Sequence, residues 1–161
     1  MFTLRENLSP TESRAALVSA AEALLDGETD LIAGLANVSA AMGAYLDDVN
    51  WAGFYLRRGE ELVLGPFQGL PACARIAWGR GVCGSAAAAG ETRVVPDVTA
   101  FPGHIACDAA SRSEVVVPLI VGGAVRGVLD VDSPTPGRFG AADADCLERV
   151  GGLVARWMEG V

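Results

Sequence analysis

The first third of the chain carries two helical stripes. Ser9-Pro10-Thr11-Glu12 supplies an N-cap serine, a proline at the first helical position and a glutamate placed to close a capping box. Leu17, Ala21 and Leu24 recur at helical spacing until Gly27 interrupts them, and Leu31, Leu35, Val38, Met42 and Leu46 repeat the stripe. From Asn50 the pattern changes: WAGFYL and LVLGPF, separated by RRGEE, read as two strands joined by a turn at Gly59. A glycine-rich loop over residues 79–84 runs into Ser85 and an alanine run, which predicts a closely packed helix, and Gly90-Glu91 leads into a short strand in TRVVPD. Residues 96–113 hold no sustained period and read as a long functional loop. The valine-rich runs from Glu114 to Val121 and from Ala124 to Ser133 flank Gly122-Gly123 and predict a hairpin. Cys146, Val150, Leu153 and Trp157 then share one face of a terminal helix, which places Cys146 in the core. Helices at both ends of a hairpin-built sheet describe an α+β fold: a single domain over residues 1–161, with a central antiparallel sheet flanked by N- and C-terminal helices.

Composition narrows the partners. A chain of 161 residues with 51% hydrophobic content suits one core. Twenty acidic side chains against 12 basic ones leave a formal charge of -8, so the electrostatic source of phosphate-backbone binding is missing and nucleic acid is excluded as a partner. MFTLRENLSP has no apolar region of signal-peptide length, and no run approaches the roughly 18 apolar residues of a spanning helix. These features predict a soluble cytoplasmic protein. In a reducing cytosol the four cysteines are not structural staples, and a disulfide there is expected to be transient and catalytic.

Attention therefore falls on Cys107, in FPGHIACDAASRSE, with the single histidine, His104, three positions before it. Cys107 reads either as a nucleophilic thiolate or as a small buried hydrophobe. Asp108, Ser111, Arg112, Ser113 and Glu114 follow closely and favour a site over inert packing. Cys73 in GLPACARI and Cys83 in GRGVCGSA lie at the edges of elements from which a loop can close toward Cys107. Either thiol could resolve an oxidised Cys107, and either could simply pack. Zinc held by Cys73, Cys83, Cys107 and His104 has suitable ligand types, but the spacing matches no common knuckle. His104 has two readings: a partner that lowers the thiol pKa or donates a proton, and a side chain that only caps backbone groups.

Glu114, Asp130 and Asp132 form a carboxylate set on the predicted hairpin. Alternation puts Asp130 and Asp132 on one face. A plain two-residue Gly-Gly loop would set Asp130 opposite Val115 and leave Glu114 on the other face, whereas a three-residue loop with a bulge shifts the register by one and brings all three together. The bulged loop is expected, because converging carboxylates suit a cationic group such as a ligand ammonium. Trp51 and Tyr55 alternate in step with Gly53, so one face carries both aromatics, either as core or as the wall of a site for a small apolar ligand tail.

NWAGFYL, LGPFQGLPACARI, GRGVCGSAA, VVPDVTAFPGHIACDAASRSEVVVPL and GVLDVDSP together resemble the free methionine-(R)-sulfoxide reductases, small GAF-domain enzymes, over most of the chain from Asn50 to Phe139. The resemblance implies a GAF fold, no bound metal or organic cofactor, thioredoxin as the external reductant and a homodimer. It assigns Cys107 as the catalytic cysteine, Cys73 as the main resolving cysteine and Cys83 as a third cysteine, an alternative resolver or relay. It further implies that Glu114, Asp130 and Asp132 bind substrate and that Trp51 packs on its methyl group, with Cys146 outside the triad. The expected reaction is reduction of free methionine-(R)-sulfoxide by the Cys107 thiolate, followed by disulfide formation. Two rivals have their own signatures. A non-enzymatic GAF sensor for a small metabolite would use the same carboxylates without needing three thiols, and a Cys-His hydrolase or acyltransferase would need only Cys107 and His104.

Overall fold

A computed structural model describes residues 3–105, 107 and 109–161; Asp108, singled out above, lies outside the described residues. The order of elements is α1 (Pro10–Leu25), α2 (Leu31–Tyr45), β1 (Trp51–Arg58), β2 (Glu61–Gly69), β3 (Arg75–Ala77), α3 (Gly81–Ala89), β4 (Arg93–Val95), a 3-10 turn (Val98–Ala100), β5 (Ser113–Val121), β6 (Ala124–Ser133) and α4 (Ala141–Trp157). The capping box at α1 forms as the sequence predicts: the Ser9 N–H donates to Glu12 Oε2 at 2.8 Å, and the Glu12 N–H donates to Ser9 Oγ at 3.3 Å. Asp30 caps α2 by accepting from the Ala33 N–H at 2.9 Å.

The six strands form one sheet in the order β3-β2-β1-β6-β5-β4, and the pairings along it are antiparallel. Strand alternation divides the interior in two. Ala52, Phe54, Leu56, Val115, Val117, Leu119, Leu129 and Val131 face α1, α2 and α4 in the larger core, where Cys146 is buried as expected. Trp51, Tyr55, Val116 and Val128 point to the opposite face and pack with Val82, Cys83, Ala86 and Ala87 of α3. The helix predicted from the alanine run is thus the lid of that second face: small side chains let it approach the sheet. Sequence periodicity missed β3, whose three residues are too few to show alternation. Pro118 is compatible with a strand flanked on both sides because β4 pairs only as far as Val116, leaving the position without an N–H demand from that side.

The hairpin resolves the register question in an unexpected way. Gly122 and Gly123 form a two-residue turn, both with positive φ (59° and 81°), so the loop is not extended to three residues as the sequence reading supposed. The shift occurs inside the strands: Val121 faces Ala124 and Ile120 faces Val125, yet Leu119 faces Gly127, so β6 carries one extra residue at Arg126. From Leu119 onward the pairing is the shifted one, with Glu114 opposite Asp132 and Val116 opposite Asp130. The three carboxylates converge as predicted, through a bulge placed differently from the one expected.

Candidate active site

The β1–β6 register completes the constellation. Trp51 lies opposite Asp132, Gly53 opposite Asp130 and Tyr55 opposite Val128, so the aromatics and the carboxylates share one face of the sheet. Gly53 is required by packing: a Cβ there would run into Phe67, whose ring stacks on Trp51 at 5.2 Å between centroids. Trp51 also stacks with Tyr55 at 5.8 Å, and both rings are almost wholly buried. The Tyr55 hydroxyl donates to the Cys73 carbonyl at 3.0 Å and ties the β2–β3 connection to the middle of the sheet. Burial, with the Asp130 charge behind it, pushes the Tyr55 phenol upward, so this donor keeps its proton.

Cys73 and Cys107, 34 residues apart, are joined in a disulfide with 5.1 Å between their Cα atoms. The long loop that carries Cys107 is held at its far end by the sheet. The Arg112 N–H donates to the Ser133 carbonyl, the Val98 N–H donates to the Arg112 carbonyl, each at 2.8 Å, and Arg112 pairs with Asp97 at 3.6 Å. Buried Ser111 accepts from Asn50 Nδ2 at 3.2 Å. Cys107 and Cys73 are themselves half-buried, and Cys107 lines a cavity shared with Trp51, Tyr55, Cys83, Glu114, Asp130 and Asp132. His104 lines the same cavity, with its backbone N–H donating to the Phe101 carbonyl at 3.1 Å to close a turn. In this disulfide-closed state the cavity measures about 40 Å³, room for roughly two or three waters.

Cys83 and two of the carboxylates meet at the cavity floor. Cys83, Glu114 and Asp130 are 4%, 7% and 4% exposed, and one ligand atom from each lies within 4.8 Å of the others. The Cys83 S–H donates to Glu114 Oε1 at 3.7 Å. Asp130 Oδ1 is buried with no hydrogen-bond partner. Burial, together with the Asp132 charge, pushes the Glu114 carboxyl up to about 8. Burial followed by the Glu114 charge holds Asp130 well above the usual carboxylate range. Burial and the same carboxylates push the Cys83 thiol up as well. Burial thus biases all three of these groups toward their protonated forms, while Asp132 is only partly buried.

The zinc set considered from the sequence does not assemble, because Cys73 and Cys107 are bonded to each other and Cys83 turns to the carboxylates. The sulfur and the oxygens on the floor could hold a cation, and they are equally suited to an ammonium group or to a proton. One feature escaped sequence reasoning altogether: the N-terminus of α3, where Arg80, Gly81, Val82 and Cys83 all line the cavity and Arg80 makes no side-chain cap. Its signal was the glycine-rich stretch before the alanines, read above only as a loop. An uncapped helix start beside an arginine favours an anion, so the cavity offers opposite charges at two places.

These features define the class: an α+β domain whose sheet and covering helix α3 enclose a small cavity, with a disulfide-bonded cysteine pair beside it. A family profile described as GAF domain matches residues 20–159. Protein YtsP of Bacillus subtilis is 57% identical over 133 residues, covering 81% of this chain and 82% of that protein. The free methionine-R-sulfoxide reductase of Escherichia coli is 51% identical over 143 residues, covering 89% of this chain and 87% of the relative. Among solved structures, the X-ray structure of free methionine-R-sulfoxide reductase from Neisseria meningitidis in complex with its substrate superposes with a TM-score of 0.95 at 42% identity, covering 99% of this chain and 97% of the other. The chain belongs to the free methionine-R-sulfoxide reductase family of GAF domains.

Proposed function

We propose that this protein reduces free methionine-(R)-sulfoxide to methionine, with Cys107 as nucleophile and Cys73 as resolving thiol. The observation that carries the reading is the Cys73–Cys107 disulfide beside a cavity in which the buried carboxyl groups of Glu114 and Asp130 meet. In the reduced enzyme the Cys107 thiolate attacks the sulfoxide sulfur, a carboxylic acid supplies a proton to the oxygen, and oxygen passes to the cysteine as sulfenic acid while methionine leaves. Cys73 then attacks the sulfenic sulfur, water departs, and the bond seen here results. Over the cycle two thiols become one disulfide and the sulfoxide becomes a thioether and water, so atoms and electrons balance. Glu114 is the better matched acid, since its pKa lies near the working pH. Asp132, only partly buried, takes the substrate ammonium with Asp130, and Arg80 with the amides of the α3 start takes its carboxylate. Recognition of both charges selects the free amino acid, because a peptide-bound residue has neither. Trp51 and Tyr55 receive the methyl group.

The family further leads us to infer thioredoxin as the thiol donor that reopens the disulfide, a homodimer as the assembly and the cytoplasm as the compartment. No described helix is long and apolar enough to cross a membrane. The test is turnover of both sulfoxide epimers, free and peptide-bound, with thioredoxin as reductant. Activity confined to the free R epimer supports the reading, and equal activity on the peptide-bound form contradicts it. A pH profile adds a second check. With Glu114 protonated below about 8, the single-turnover rate at saturating substrate should fall as pH rises past that value, roughly tenfold per unit once the acid is ionised.

A further inference from the structure

Cys83 shares the cavity with the redox cysteines but is placed differently from them. Cys83 is 4% exposed, on the first turn of α3, in the apolar cluster with Val82, Ala86, Ala87 and Val116. It remains a free thiol while Cys73 and Cys107 are bonded to each other. Its hydrogen donates to Glu114 Oε1 at 3.7 Å, with the Asp130 carboxyl also within reach. A thiol acts in disulfide exchange only as thiolate, and this one is surrounded by apolar side chains and by groups that become negative when they ionise, an environment that opposes forming the anion.

Resting on the reductase reading above, we propose that Cys83 is a positioning thiol: its S–H orients and tunes the Glu114 acid that protonates the substrate oxygen, and it takes no part in disulfide exchange. A hydrogen bond donated to a carboxyl group stabilises the ionised form and so keeps the acid strong enough to release its proton. Without that donor, only the hydrogen bond with Asp130 would remain to offset the desolvation of Glu114, and the acid would hold its proton more tightly. Among the described residues, the other titratable and charged groups lining the cavity with this pair are Asp130 and Asp132 from β6, Tyr55 from β1, Arg80 from the start of α3, and His104 and Cys107 from the long loop.

The experiment compares Cys83→Ala, which removes the donor, with Cys83→Ser, which restores one. Each reduced variant receives one equivalent of free methionine-(R)-sulfoxide, and the rate of Cys73–Cys107 disulfide formation at saturating substrate is followed against pH. In Cys83→Ala the disulfide still forms stoichiometrically but several-fold more slowly, and the alkaline limb moves to higher pH by half a unit or more. Cys83→Ser returns both toward wild type. Peptide mapping of wild-type protein quenched during the first turnover finds Cys83 alkylated as a free thiol. A Cys83 disulfide with either partner, an alkaline limb that stays in place or moves down in Cys83→Ala, or a serine variant indistinguishable from alanine overturns the proposal. Failure of the wild type to reduce the sulfoxide would instead overturn the reductase reading beneath it.

Discussion

Cys107→Ser should abolish sulfoxide reduction, lowering single-turnover rates by about 10⁴-fold or more while leaving the fold intact. Attack on the sulfoxide sulfur requires a group that is anionic near neutral pH and that can accept the oxygen, and a serine hydroxyl meets neither demand. Structure should change little, because Cys107 is half-buried and packs only peripherally against the smaller apolar cluster. Quenched-flow measurement of methionine release, alongside a thermal melt, checks both parts. Residual rates within tenfold of wild type would move the nucleophile to another residue.

Asp130→Asn should separate activity from stability in opposite directions. Turnover should fall by about 10²-fold or more, since asparagine can neither share a proton with Glu114 nor release one to pair with the substrate ammonium. Folding stability at neutral pH should rise. Asp130 is held well above the usual carboxylate range by burial and by Glu114, so the native state keeps a proton that the unfolded chain has released. The native state then binds more protons than the unfolded one, and stability falls as pH climbs above the unfolded-chain value of 3.8. Asparagine, close in shape to the protonated acid, removes that penalty. The gain over wild type should therefore be large at neutral pH and vanish below the unfolded-chain value. Denaturant melts of the reduced proteins at several pH values measure it, and an equally pH-dependent Asp130→Asn protein would show that this carboxyl is not the stored acid.

Much of the fold was legible because its longer elements obey simple periods. The capping box fixed the start of α1, the alanine run announced a helix that could lie close to a sheet, and Cys146 fell on the apolar stripe that buries it. The site was legible in part. Alternation alone put Asp130 beside Asp132 and Trp51 beside Tyr55, but uniting the two sets depended on the β1–β6 register, which no local pattern encodes. Bringing Glu114 to the same face depended on the extra residue at Arg126, a bulge with no sequence signature, and the expected three-residue loop put the right shift in the wrong place. The proximity of Cys73 to Cys107 rested on resemblance, since 34 intervening residues leave local spacing silent. The partnership of Cys83 with Glu114 was invisible for the same reason: a helix start and a strand start meet only in the folded domain.

The most direct test of the central claim gives fully reduced protein one equivalent of free methionine-(R)-sulfoxide, without reductant, and measures both released methionine and the cysteine pairing. The predicted result is one methionine per chain, with Cys73 and Cys107 joined and Cys83 and Cys146 still alkylatable after denaturation. Methionine released while Cys73 and Cys107 remain free thiols, or no methionine released at all, would contradict it.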